Sequence, residues 1–318
     1  MTTRIKISMV PLILLVLLGF IWGSGYTLAK FAVTHGVSPL GYAFWQSLGP
    51  ALLVSLFVFF TKEAFVWDKT HLLYYAVTGF LGIALPNTNM YLVAAHLPAG
   101  LLAIIVNTVP ILTYPLALFW QLEHFRFLRF AGVILGFVGI LCIVFPTQIG
   151  LSAPNGQKGW ACLALLSPLS FALASLYIHK KRPPQASAIS LTAGMLIFST
   201  VFLIPLMGYT RSFYPLVHLR ASDYAVILEI ILSTMGYILF FILIKRAGAV
   251  YYSLVGGIVA LTGLFWGYLI YNERLNAMDV YATVLILSAL VLLSLPLRTK
   301  IIAKRHDLQE TPPKSNGF

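Results

Sequence analysis

Charge is what this sequence has least of. Asp, Glu, Lys and Arg make up 9% of its 318 residues, while 59% are hydrophobic and the mean hydropathy is +0.90. A soluble domain carries about 25% charged residues, and a chain this poor in charge could not cover its own surface in water. Lipid as the solvent removes that requirement. Cysteine is also scarce. Cys142 and Cys162 both sit inside apolar runs, which excludes a disulfide framework or a thiolate metal site. The seven histidines fall in or beside loops. No His-Glu-x-x-His motif or pair of mid-membrane aspartates supplies the convergent reactive groups of an enzyme. A phosphate-binding loop is missing, as is a selectivity filter or ring of charge. The expectation is a protein that is not an enzyme and takes no cofactor or metal.

What is present is a series of apolar runs, each near the 20 residues a helix needs to cross the hydrocarbon core. They fall at about 9–30, 40–60, 72–95, 98–120, 128–146, 159–178, 188–208, 222–244, 249–271 and 279–297. The first follows Arg4 and Lys6 as a signal peptide would, but it is too long and lacks a small-residue cleavage site, so it reads as a retained span. The predicted fold is all-α, a polytopic membrane protein of ten transmembrane helices. The polar residues 298–318, with their Pro-Pro, read as a disordered cytoplasmic tail.

The net charge of +12 needs no nucleic acid partner, since no basic stripe interleaves with aromatics in a polar domain. Ten spans put both termini on one side. Sixteen of the 21 Lys and Arg, from Arg4 to Lys314, then share one set of loops; Lys30, Lys158, Arg211, Arg220 and Arg274 occupy the other. The positive-inside rule makes the first set cytoplasmic, with both termini.

Residues 98–146 can be laid on 248–296 at a constant offset of 150, which brings Glu123 in FWQLEHFRFLRF onto Glu273 in LIYNERLNAMDV. Two halves follow, residues 1–147 and 148–297. Each has five spans, an odd number, so the second inserts upside down. Inverted repeats with a midplane site between the halves are a recurring transporter plan.

Polar groups within the hydrocarbon usually face an interior or a cavity. Span 1 offers Trp22, Ser24 and Tyr26, with Gly23 and Gly25 around Ser24; a hinged cavity wall and close helix packing explain them equally well. In PNTNMY, Pro86 frees a backbone carbonyl. Asn87 and Tyr91 share a face there, while Asn89 cannot share it; one Asn is expected at the cavity and the other on the broken backbone. Asn107, Pro110 and Tyr114 form one stripe of span 4. Spans 6, 8 and 9 add Ser170, Tyr177, Tyr237, Tyr252 and Trp266. The glycines of spans 5 and 9 read as helix packing. Lys30, which could also snorkel to the interface, and the intramembrane Glu229 are expected to face an outer vestibule near each other. Glu229 is the candidate for coupling. Glu123 and Glu273, at span ends, are expected to cap helices or pair within loops.

Three segments carry a family likeness: WGSGYTLAKFAV (22–33), HLPAGLLAIIVNTVPILTYPLAL (96–118) and GAVYYSLVGGIVALTGLFWGYLIYNERL (248–275). With them the chain resembles the EamA-type members of the drug/metabolite transporter superfamily along nearly its whole length. It departs at Gln46, where many members have Arg, and at Ala260, opposite Pro110. The resemblance implies a permease of the cell inner membrane that moves a small molecule by alternating access. It also implies spans 5 and 10 outside the cavity. An amphipathic metabolite, an amino acid or derivative and its export, is the leading reading. Drug or toxic-compound efflux, or import, comes second, and a receptor or assembly factor is the reading without transport. The partners are the bilayer and the substrate; a homodimer is allowed but not required.

Overall fold

The computed structural model describes residues 9–144, 157–184, 186–217, 219–252 and 254–294, without the side chains of 157, 241, 244, 245 and 247–252. The tail expected at 298–318 and the boundary between the halves at 147–148 lie outside the described residues. Every regular element among the described residues is helical. Eight helical stretches there are long and apolar enough to cross a membrane, and Val255–Tyr271 is a shorter apolar helix. The stretch Lys69–Ala94, expected as span 3, is helical but carries Asn87, Thr88 and Asn89 and is not among those eight.

In chain order the helices are α1 (Val10–Thr34), α2 (Pro39–Phe60), α3 (Lys69–Gly79), α4 (Leu85–Ala94), α5 (Ala99–Val106), α6 (Val109–Phe119) and α7 (Phe127–Val144). Then come α8 (Gln157–Ala164), α9 (Leu166–Lys181), α10 (Ala188–Thr210), α11 (Ala221–Tyr252), α12 (Val255–Tyr271) and α13 (Ala277–Ser294). Starts are set by short polar side chains: Ser38, Asp68 and Ser187 accept the orphan N–H groups of Gly41, His71 and Ser190.

Prolines break the helices locally. Pro86 has no N–H to offer the preceding turn, so the chain between α3 and α4 widens into a π turn, Phe80–Ala84. In π winding the Leu81 carbonyl would look to residue 86 for its donor. Ser170 supplies that donor instead, its hydroxyl 2.7 Å from the Leu81 oxygen. Pro110 and Pro168 stand just past similar breaks, between α5 and α6 and between α8 and α9. At the first, Thr108 and Asn107 donate to the Ile105 and Ala103 carbonyls.

α1 packs on α11 and α12, α2 on α10 and α11, α3 on α10, α4 on α9, α5 on α12, α6 on α9, and α7 on α13. Small residues permit the closest approaches. A methyl on Gly132 would stand 3.1 Å from Leu292, and one on Gly139 would stand 3.1 Å from the Ala282 carbonyl, both on α13. Gly136 meets Ile111 of α6 rather than α13. Large apolar side chains such as Phe59, Phe119, Phe127 and Leu269 point outward, as a lipid-facing surface requires.

Candidate functional site

Polar side chains gather at two places. The first is a buried polar cluster, the Glu229 chamber, walled by α1, α2, α4 and α11. Glu229 of α11 is 7% exposed. Its Oε1 accepts from the Ser233 hydroxyl one turn on, at 2.7 Å, and its Oε2 has no partner among the described residues. The carboxylate lies against Gly25, whose added methyl would sit 3.3 Å from Oε1, close enough that Glu229 would have to shift by a few tenths of an ångström to admit it. The hydroxyls of Tyr26, Tyr42, Tyr91 and Tyr237 are all within electrostatic reach of it. The Tyr42 and Tyr91 rings meet edge to face at 4.6 Å, and the buried Tyr42 hydroxyl is also without a partner among the described residues. Among the described residues Glu229 takes part in no ion pair.

Amides extend the chamber. Asn87 donates to Gln46 Oε1 at 3.0 Å, and Gln46 is bonded in turn to the Tyr237 hydroxyl. Asn107 donates to Tyr26 at 3.3 Å. The Trp22 ring lies 6.5 Å from that of Tyr237. An isolated buried carboxylate is costly, and aromatic faces attract cations. Both features favour positive charge at this point, as a proton or a cationic group.

The second place is a clasp at the end of α1. Lys30 Nζ is 2.6 Å from Glu273 Oε1 and 4.9 Å from the centre of the Tyr271 ring. The Glu273 carboxylate also accepts from the Ala99 and Gly100 N–H groups, at 2.9 and 3.1 Å, and so caps α5. One carboxylate thus ties α1, α5 and the end of α12 together, where the helix dipole and the ammonium both favour its charge. Beside the clasp a crevice of about 500 Å³ is lined by Leu261, Leu264, Phe265 and Tyr268, with Glu273 and Arg274.

The expected residues divide accordingly. Trp22, Tyr26, Asn87, Tyr91, Asn107, Tyr237 and Glu229 meet in or beside the chamber. Lys30 joins the clasp; its partner is Glu273 and not Glu229, because α12 ends directly over it. Ser170 serves the π turn. Tyr114 closes a loop, donating to the His124 carbonyl and accepting from the Arg126 N–H. Ser24 bonds the Ile21 carbonyl of its own helix. Tyr177 packs near Tyr74, with ring centres 6.2 Å apart. Trp266 meets Phe20 edge to face, and its buried Nε1 has no partner among the described residues. Pro110 sets the α5–α6 break. The Tyr252 side chain lies outside the described residues. Asn89 bonds the Leu163 carbonyl and Ser167 on the neighbouring helices, and Ser167 takes the Pro86 carbonyl. The broken backbone is thus satisfied from α9, and not by either Asn.

Tyr42 and Ser233 were not expected at the site. Tyr42 stands four residues before Gln46, and Ser233 four after Glu229, so each shares a face with a polar residue already noted. Among the described residues no three His, Cys, Asp or Glu side chains come close enough together to hold a metal ion.

A lipid-facing shell of helices around a buried acidic chamber defines a multi-pass membrane protein. The chain belongs to the EamA-like transporter family, whose model matches residues 9–145 and again residues 158–295; this makes it a transporter of the drug/metabolite superfamily. It is 27% identical to "Uncharacterized inner membrane transporter YedA" of Escherichia coli (strain K12) over 282 residues, covering 86% of this chain and 87% of that one. It is also 27% identical to "Uncharacterized transporter YvbV" of Bacillus subtilis (strain 168), covering 74% and 76%. "Protein PecM" of Dickeya dadantii (strain 3937) is 24% identical, covering 68% and 71%. A solved crystal structure overlays 94% of this chain and 99% of its own at a TM-score of 0.58 and 14% identity, a likeness of fold alone.

Proposed function

We propose that the protein carries a small amphipathic metabolite across the inner membrane, with both termini cytoplasmic. An amino acid or a derivative is the favoured cargo and export the favoured direction. Two inverted halves, 1–147 and 148–297, alternate access to the Glu229 chamber. The observation that carries this reading is Glu229 itself, a buried carboxylate with four tyrosines within electrostatic reach and, among the described residues, one oxygen without a partner and no ion pair. Such a group needs a counter-charge from outside the fold. An ammonium on the cargo or a coupling proton would provide it.

The twofold plan draws support from the double family match and from the packing. Exchanging each span with its counterpart five spans on turns the α1–α12 contact into α9–α6, α1–α11 into α9–α4, and α2–α11 into α10–α3. The α2–α10, α5–α12 and α7–α13 contacts map onto themselves.

The test is flux in proteoliposomes against a panel of amines, amino acids, their N-acyl forms, which lack the ammonium, and drugs. Flux of the amino compounds, with a drop of about tenfold or more in Glu229→Gln, roughly 1.4 kcal/mol of lost interaction, is expected. Flux of drugs alone would favour efflux of toxic compounds. Inward accumulation would reverse the direction. No flux of any compound would leave a receptor or assembly role.

A further inference from the structure

The 150-residue offset carries more than Glu273 onto Glu123; it also carries Lys30 onto Lys180. Both members of the clasp therefore have counterparts in the other half. α5 and α6 cross the molecule as one stretch, Ala99–Phe119, so Glu123, just past α6, lies at the far end from the clasp. His96, at the clasp end, stacks on Trp160 at the start of the Lys158–Lys181 stretch, with ring centres 3.7 Å apart. That puts Lys180 at the far end as well, on α9, which packs against α6.

The two ends differ in what is made. Lys30 and Glu273 are joined and are 18% and 15% exposed. Glu123 bonds Arg129 at 3.2 Å and is 41% exposed, and Lys180 is exposed, in none of the ion pairs among the described residues. Position 129 is what makes the ends unequal. Its counterpart is Asp279, which cannot draw Glu273 away from Lys30, whereas Arg129 can hold Glu123 away from Lys180. The backbone differs in the same sense. Ala99 and Gly100 open a helix and offer free N–H groups, while their counterparts Ala249 and Val250 lie inside the unbroken α11.

We propose that Glu123 and Lys180 form a second clasp, which closes when the Lys30–Glu273 clasp opens, with Glu123 passing from Arg129 to Lys180. The structure is then the state with the Lys30 end shut. Exposed ion pairs contribute little, so the exchange at the far end is cheap. α11 breaks near Gly248 in the other state and gives Glu123 the N–H groups that Glu273 takes from α5; a glycine is where a helix yields most readily. The inference rests on alternating access, and its test needs no substrate.

In a Cys142→Ala, Cys162→Ala background, Thr27→Cys places a thiol on α1 one turn below Lys30, at a buried position. A membrane-impermeant maleimide applied from the Lys30 face then reports how often that end opens. Lys180→Met should lower the labelling rate and Arg129→Met should raise it, each by up to about fivefold, the equivalent of about 1 kcal/mol. Opposite signs from two substitutions at the same far end are not what general destabilisation gives. In membranes, Glu123→Cys with Lys180→Cys should cross-link, and so should Lys30→Cys with Glu273→Cys. With all four cysteines present, a single molecule should carry one bridge and not both. Labelling unmoved by both methionine variants, or shifted the same way by both, would overturn the proposal, as would both bridges in one molecule. Retained flux together with unmoved labelling would sink the second clasp and leave the transport reading standing.

Discussion

Replacing Glu273 by alanine removes an ion pair and a helix cap in one step. Loss of a capping acceptor costs about 0.5–2 kcal/mol, here for the Ala99 and Gly100 N–H groups. The ion pair lies between two limits. Exposed pairs contribute about 0–1 kcal/mol, and breaking a fully buried pair costs about 3–5 kcal/mol. With side chains 18% and 15% exposed, about 2 kcal/mol is a fair intermediate. Glu273→Ala should therefore lose about 3 kcal/mol. Lys30→Met leaves the cap in place and should lose about 1–2 kcal/mol. The double variant should fall short of the sum by about 1–2 kcal/mol, because both single variants lose the same ion pair. Reversible unfolding in mixed micelles, followed by circular dichroism, measures all four corners of the cycle. A loss below about 0.5 kcal/mol for Glu273→Ala, or a coupling indistinguishable from zero, would mean that the clasp is a surface contact of no consequence.

Three further substitutions probe other parts of the argument. Gly267→Ala sets a methyl 2.5 Å from Glu273 Oε2 and 3.1 Å from the Gly100 nitrogen; it should cost about 1–3 kcal/mol by overpacking, seen as a lower melting temperature in detergent. Ser170→Ala strips the Leu81 carbonyl of its donor, and should cost about 1–3 kcal/mol in the same unfolding assay. Tyr42→Phe removes a buried hydroxyl that has no partner among the described residues. It should leave stability within about 0.5 kcal/mol while lowering flux in proteoliposomes; normal flux would take Tyr42 out of the chamber.

The helices were legible because lipid imposes a simple rule: long apolar runs separated by basic loops. The interruptions were legible only in part. Pro86, Pro110 and Pro168 can be read as breaks, but not which neighbour repairs each one. Ser170 looked like a cavity residue because its partner, the Leu81 carbonyl, is 89 residues away in the chain. Glu229 stood out as an acid in an apolar run, and Lys30 as a base in another. That they would not meet depends on α12 ending over α1, a tertiary fact with no local signal. Tyr114 fits a polar stripe on α6, yet its hydroxyl is drawn to the loop after that helix by the His124 carbonyl and the Arg126 N–H. Tyr42 leaves a trace in the sequence, four residues before Gln46 on one face, but a tyrosine in an apolar run is a weaker polar signal than an amide.

The length of α11 has a mechanical consequence. Its 32 residues make a rod of about 48 Å at 1.5 Å per residue, against a hydrocarbon layer of about 30 Å. A rod that outruns the oil by more than a third must lean or project into water. While the rod stays unbroken, any tilt of its projecting end carries Glu229 on its early turns, much as an oar handle moves its blade; a break near Gly248 uncouples the two.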